Sequence, residues 1–99
     1  MYYSVTNNKE ADSGLTSEKL AACFQKNIVN SLSTYSRGVK TAQFVVIKKN
    51  TIPAILVELG FISNTEDRKK FTDSKYQKKT AKLFYNTVVD IFKQYPTNR

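Results

Sequence analysis

Apolar residues recur along this chain with a helical period in two places. The first repeat, between residues 16 and 36, predicts an amphipathic helix that Thr16 or Ser17 caps. The second repeat, between residues 73 and 95, predicts a final helix that Asp73 or Ser74 starts and Pro96 ends. A shorter helix is predicted between them, because Asn64 is a favourable cap in front of two acidic residues.

Three other segments have the composition of strands. Residues 1–6 and 43–47 are rich in β-branched and aromatic residues. Residues 52–62, IPAILVELGFI, are apolar except for Glu58, which is typical of a strand covered on both faces. The predicted fold is therefore an α/β fold of order β-α-β-β-α-α, with a small, mostly parallel sheet flanked by helices. The expected core comprises Leu20, Phe24, Ile28, Val45, Ile47, Ile55, Val57, Leu83, Val88 and Ile91.

Composition excludes several kinds of catalytic site. The 99 residues include no histidine, so the chain holds neither a Ser-His-Asp triad nor a zinc site with imidazole ligands. The lone Cys23 forms no intrachain disulfide and is expected to be a small apolar residue of a helix. No apolar run reaches the length of a membrane span, and no signal peptide is expected at the start.

The net charge of +8 favours contact with a polyanion. The densest basic stretch, residues 68–82, is either a solvated helix face or a polyanion site. It carries no recognised nucleic-acid motif and lacks the interleaved aromatic residues that base stacking needs, so no nucleic-acid partner is predicted.

Glu58 is the residue that the pattern does not explain. A carboxylate inside a buried strand is costly unless it is paired, and near the carboxyl end of a strand it lies where open α/β sheets bind ligands. Partial burial would raise its pKa, as a general base requires, and Gly60 would let another backbone or a substrate approach. Alternatively, Glu58 pairs with a basic residue of this chain or lies on an exposed sheet edge.

Several segments together resemble the C-terminal half of the catalytic domain of type 3 N-acetylmuramoyl-L-alanine amidases. These segments are RGVK at residues 37–40, FVV at 44–46, IPAILVELGFISN at 52–64 and the Tyr76-Gln77 pair. The first strand and the helix carrying Leu20-Ala21 are also similar, so the resemblance covers essentially residues 1–99. We expect this stretch to be the second part of one domain.

The resemblance implies a hydrolase that cleaves the amide between N-acetylmuramic acid and L-alanine in peptidoglycan, acting in the cell wall or outside the cell. Glu58 matches the family's general base, which activates a zinc-bound water. The family's zinc ligands, two histidines and a glutamate, lie upstream of the strand matched here. We therefore expect the zinc of the complete domain to be missing from this chain, and the chain alone to be inactive.

The remaining expectations concern partners and secondary sites. An open sheet edge predicts a homodimer or pairing with a complementing N-terminal half. Arg37 either binds a substrate carboxylate or closes a helix end, and Asn64 either contacts substrate or only caps its helix. The alternative function is a catalytically dead module that binds or regulates the cell wall through its basic surface.

Overall fold

A computed structural model describes residues 1–32, 38–60 and 63–97 of the chain. Their mixture of short strands and helices agrees with the predicted α/β class. The elements follow one another as β1 (Tyr2–Tyr3), a 3-10 turn (Val5–Asn7), α1 (Ser17–Leu32), β2 (Lys40–Thr41), α2 (Val45–Lys48), α3 (Thr65–Phe71) and α4 (Ser74–Gln94).

The sheet is centred on β1. Strand β2 pairs with β1 in parallel, and the Lys40 N–H donates to the Met1 carbonyl at 3.0 Å. On the other side of β1, Tyr2 and Leu56 form an antiparallel bridge in which each N–H donates to the other residue's carbonyl at 2.9 Å. The segment that contains Glu58 is thus held against β1 at a single residue.

The predicted helix caps are confirmed. The Thr16 hydroxyl accepts the Lys19 N–H at 3.1 Å in front of α1. The Asn64 side chain accepts the Asp67 N–H at 3.0 Å, and the Asp73 carboxylate accepts the Lys75 N–H at 2.8 Å. Each bond satisfies a backbone donor that the first turn of a helix leaves without a partner, so local sequence determines where these helices begin.

The core lies between α1, α4 and the sheet. The rings of Phe24 and Phe84 meet edge to face at 5.4 Å, and the Asn27 amide donates to the Thr87 hydroxyl at 2.9 Å where α4 packs on α1. The Thr87 hydroxyl in turn donates to a carbonyl of its own helix, so this buried polar pair is satisfied. The cluster of buried apolar residues comprises Met1, Ala21, Phe24, Ile28, Leu32 and Ile91.

The prediction of a strand at residues 43–47 is wrong. Val45–Lys48 forms one helical turn, in which the Ile47 and Lys48 N–H groups donate back to the Phe44 carbonyl. Of the expected core residues here, Ile47 is buried, whereas Val45 is 65% exposed. A run of β-branched residues forms a strand only where a neighbouring strand pairs with it, and β2 has already taken that place upstream.

Two smaller predictions also need correction. The first strand does not extend over residues 1–6, because the chain turns into the 3-10 helix after Ser4, whose hydroxyl accepts the Thr6 N–H. Val88 is 42% exposed on the outer side of α4 and does not join the core. None of the helices within the described ranges is long and apolar enough to cross a membrane.

Candidate active site

Glu58 is exposed, so the partial burial expected for a base is wrong, and the exposed position that the alternative predicts is observed. Ile55, Val57 and Leu59 pack against the core cluster. Because successive side chains of an extended chain point to opposite sides, Leu56 and Glu58 face away from the core. The apolar run therefore has one covered face, and the regular strand predicted over residues 52–62 is reduced to the bridge at Leu56 in its described part.

The face that carries Glu58 is lined by apolar side chains. Leu56 and Tyr2 are bridge partners, so their side chains lie next to each other on the same face. The Tyr2 ring meets the Phe44 ring edge to face at a centroid distance of 5.8 Å, and Phe44 remains 47% exposed. The carboxylate thus stands beside an open apolar surface, which we call the Tyr2 face (Tyr2, Phe44, Leu56).

The antiparallel bridge between Tyr2 and Leu56 brings Glu58 close to the start of β1. Burial lowers the pKa of the Met1 amino group, and the negative charge of Glu58 opposes that shift. Lys40 adds to the lowering of the same pKa. Glu58, Met1 and Lys40 therefore lie close enough to interact at this end of the sheet, as the antiparallel register at Leu56 requires.

Two buried polar side chains hold the beginning of the Glu58 segment. The Ser17 hydroxyl donates to the Asn7 carbonyl at 2.5 Å and accepts the Ala54 N–H at 3.1 Å. The Asn7 amide donates to the carbonyls of Ile47 and Ile52 at 3.2 and 2.9 Å. The sequence alone indicates no role for Asn7, because a single polar residue in a loop carries no signal of burial.

Gly60 lies close to the first turn of α3. A Cβ atom at residue 60 would stand 2.6 Å from Asp67 Oδ2 and 3.1 Å from Phe71 Cζ, and the φ angle of +156° is unfavourable for other residues. The close approach expected at Gly60 is therefore made by α3. Burial, and to a lesser extent the negative charge of Asp67, raises the pKa of the Tyr76 phenol.

No contact given for the described residues joins Asn64 to Glu58. Asn64 is exposed, and its side-chain oxygen caps α3. Arg37 lies outside the described residues. Substrate binding by Arg37 and Asn64 stays a prediction.

The described residues do not fit a zinc ion. No group of three or more Cys, His, Asp or Glu side chains comes together within residues 1–32, 38–60 and 63–97, and the sequence contains no histidine. Zinc in proteins takes three or four nitrogen, sulfur or carboxylate ligands. Glu58 is therefore the one predicted catalytic group whose position the structure gives.

A cleft of about 260 Å³ lies elsewhere, between the turn after β1 and residues 50–53. Its lining includes Lys9 and Glu10 but not Glu58 or Asn64. A cleft without the candidate base is a poor choice for the catalytic site, so the Tyr2 face remains the candidate.

Comparison with known proteins decides the family. The family description "N-acetylmuramoyl-L-alanine amidase", Amidase_3, matches residues 1–90. The chain belongs to this amidase family. The match includes Glu58, the Tyr2 face and most of α4.

Curated relatives of this amidase chain are considerably longer. The uncharacterized protein YqiI of Bacillus subtilis is 40% identical over 81 residues, which cover 82% of this chain and 39% of YqiI. The N-acetylmuramoyl-L-alanine amidase LytC of the same organism is 38% identical over 77 residues, or 78% of this chain and 16% of LytC. An uncharacterized cell wall amidase of Bacillus anthracis is 33% identical over 91 residues, or 92% of this chain and 17% of the relative. No solved structure matches the chain.

Proposed function

We propose that this chain carries the general base of an enzyme that hydrolyses the amide between N-acetylmuramic acid and L-alanine in peptidoglycan. The observation that carries the proposal is the family match over residues 1–90, within which Glu58 is exposed beside the Tyr2 face. The names of LytC and of the Bacillus anthracis relative support the same reaction and a place in the cell wall.

Glu58 removes a proton from the attacking water in this reaction. The water oxygen bonds to the carbonyl carbon of the lactyl group, the carbon–nitrogen bond breaks, and the proton passes to the departing amine of L-alanine. The products are a free lactyl carboxylate and a peptide with a free amino terminus. A positioned base contributes about 10²- to 10⁴-fold to such a rate.

The groups that polarise the amide carbonyl are supplied by residues other than those described. The chain spans 39% or less of the length of the three relatives above, and we propose that a segment matching their additional length completes the site. Because Glu58 alone activates only the water, the chain by itself is inactive. Zinc-dependent release of peptide from purified peptidoglycan by this chain alone would overturn this part.

The sheet edge and the surface beside it are suited to receive that segment. Lys40 and Ala42 bond to β1, so the Thr41 N–H and carbonyl point to the opposite edge of β2, where another strand can pair. Val45, Val46 and Ile52 are each at least 65% exposed. In the chain alone we propose that a second copy uses this edge, and light scattering should show a dimer. A monomer at high concentration would contradict this proposal.

The base role is tested in a chimera in which residues 1–99 replace the matching segment of LytC. The rate of amide cleavage on purified peptidoglycan is compared between the chimera and its Glu58→Gln variant, with equal folding checked by circular dichroism. We expect a loss of about 10²- to 10⁴-fold. Glu66→Gln is the matched control, because Glu66 is an exposed carboxylate of α3. A Glu58→Gln rate equal to that of Glu66→Gln would refute the base role.

A further inference from the structure

The outer side of α4 carries an apolar stripe that the amidase proposal does not use. Tyr85, Val88 and Phe92 are 69%, 42% and 61% exposed, and the spacing of three and four residues places them on one face of the helix. Exposed Ala81 continues the face one turn earlier. We call these four residues the α4 stripe; it is about 16 Å long at the rise of an α-helix. The buried residues of α4, Thr87 and Ile91, face α1 and the core instead.

A band of lysines borders the α4 stripe. Lys78 and Lys82 precede Tyr85 by seven and three residues, so they lie on the same side of the helix, and Lys93 follows Phe92 directly. All three are exposed. The helix has five lysines and a single acidic residue, Asp90. The outer side of α4 is therefore apolar along its centre and strongly basic along one flank.

We propose that the α4 stripe and its lysines dock on an anionic lipid bilayer, with α4 lying along the membrane surface. An anionic polymer in water would neutralise the lysines but would leave the rings of Tyr85 and Phe92 in water. A second copy bound through the α4 stripe would cover the rings but would bring the two lysine bands next to each other. An anionic bilayer accommodates both the α4 stripe and the lysines, because the rings enter the acyl boundary while the lysine ammonium groups reach the phosphates.

Vesicle binding tests this proposal with the chain itself. Binding to vesicles of phosphatidylglycerol and phosphatidylcholine is compared with binding to phosphatidylcholine alone. We expect binding to the anionic vesicles only. The affinity should fall about fivefold for each lysine neutralised in Lys78→Gln and Lys82→Gln. The double variant Tyr85→Ser/Phe92→Ser should lose at least about tenfold, because two apolar rings no longer leave water.

Two matched controls distinguish an effect of the α4 stripe on binding from an effect of net charge or of any exposed apolar side chain. Lys26→Gln removes an exposed lysine of α1, and Val5→Ser removes a 61% exposed apolar side chain of the 3-10 turn. Neither should change vesicle binding by more than about twofold, apart from the small effect of net charge. Binding that salt abolishes but that the stripe variants leave unchanged would indicate a polyanion site and overturn the proposal. Equal binding to neutral vesicles would overturn it as well.

A tryptophan probe keeps the proposal testable if the double serine variant does not fold. The chain has no tryptophan, so Phe92→Trp adds a single reporter that preserves an apolar ring. Its emission should shift to shorter wavelength with anionic vesicles, whereas that of Val5→Trp should not shift. An unshifted Phe92→Trp emission at vesicle concentrations that bind the chain would refute insertion of the α4 stripe. Because these readouts do not involve hydrolysis, a negative result would overturn the membrane proposal without affecting the amidase proposal.

Discussion

Ser17→Ala removes one hydroxyl that connects three segments of the protein. The side chain is 1% exposed, and its Oγ atom donates to the Asn7 carbonyl and accepts the Ala54 N–H. Without the hydroxyl, the buried Asn7 carbonyl and the partly buried Ala54 N–H lose their partner. The buried group costs about 1–3 kcal/mol and the partly buried one about 1 kcal/mol, so we expect the free energy of unfolding to fall by about 2–4 kcal/mol in total.

Urea unfolding followed by circular dichroism measures this loss. The midpoint should fall while the m-value stays unchanged, because the variant exposes the same surface on unfolding. Ser74→Ala is the control, since Ser74 is an exposed first residue of α4. Asn7→Ala in the same background should cost less than it does in the unmodified chain, because both residues hold one hydrogen-bond network. A loss below about 0.5 kcal/mol in Ser17→Ala would refute the reasoning, because it would mean that these bonds contribute little.

Three further predictions test the core, the approach to α3 and the tyrosine at the start of the sheet. Phe24→Ala should lower the free energy of unfolding by about 3–5 kcal/mol, and Phe24→Leu by clearly less, because leucine leaves a smaller cavity. Denaturant unfolding measures both losses, and equal losses would contradict the prediction. Gly60→Ala should lower the free energy of unfolding by about 1–3 kcal/mol, because the new Cβ atom clashes with Asp67. Asp67→Ala should relieve part of that cost in the double variant, so a double variant whose loss equals the sum of the two single losses would contradict the clash. The hydrogen bond to Glu18 raises the pKa of the Tyr3 phenol, so its stabilising effect is complete below pH 10 and is lost as the pH rises through the raised pKa. Ultraviolet titration should show a lower pKa for Tyr3 in Glu18→Ala, and an unchanged titration would exclude this bond.

Local sequence was sufficient for α1, α3 and α4 and for their starts. The caps at Thr16, Asn64 and Asp73 lie where the sequence predicts them, because a cap bonds within three residues of itself. Among the predicted core residues, Phe24, Ile28 and Ile91 are buried, because their helical spacing places them on one face. The long apolar segment around Glu58 was likewise sufficient to indicate the amidase family, which the match over residues 1–90 shows.

Tertiary contacts decided the strands and the surroundings of Glu58. The apolar composition of residues 43–47 and 52–62 indicates strands, but a strand exists only where a partner backbone pairs with it, and β1 pairs with Lys40–Thr41 and with Leu56 instead. Which side of the 52–60 segment is covered depends on α1 and α4, and their packing leaves Glu58 exposed on the Tyr2 face. The sequence by itself determined the family, helices α1, α3 and α4 and the candidate base, because motifs and helices depend on residues that are near one another in the chain. The tertiary structure alone decided strand pairing and the exposure of Glu58, because both depend on which distant segments meet.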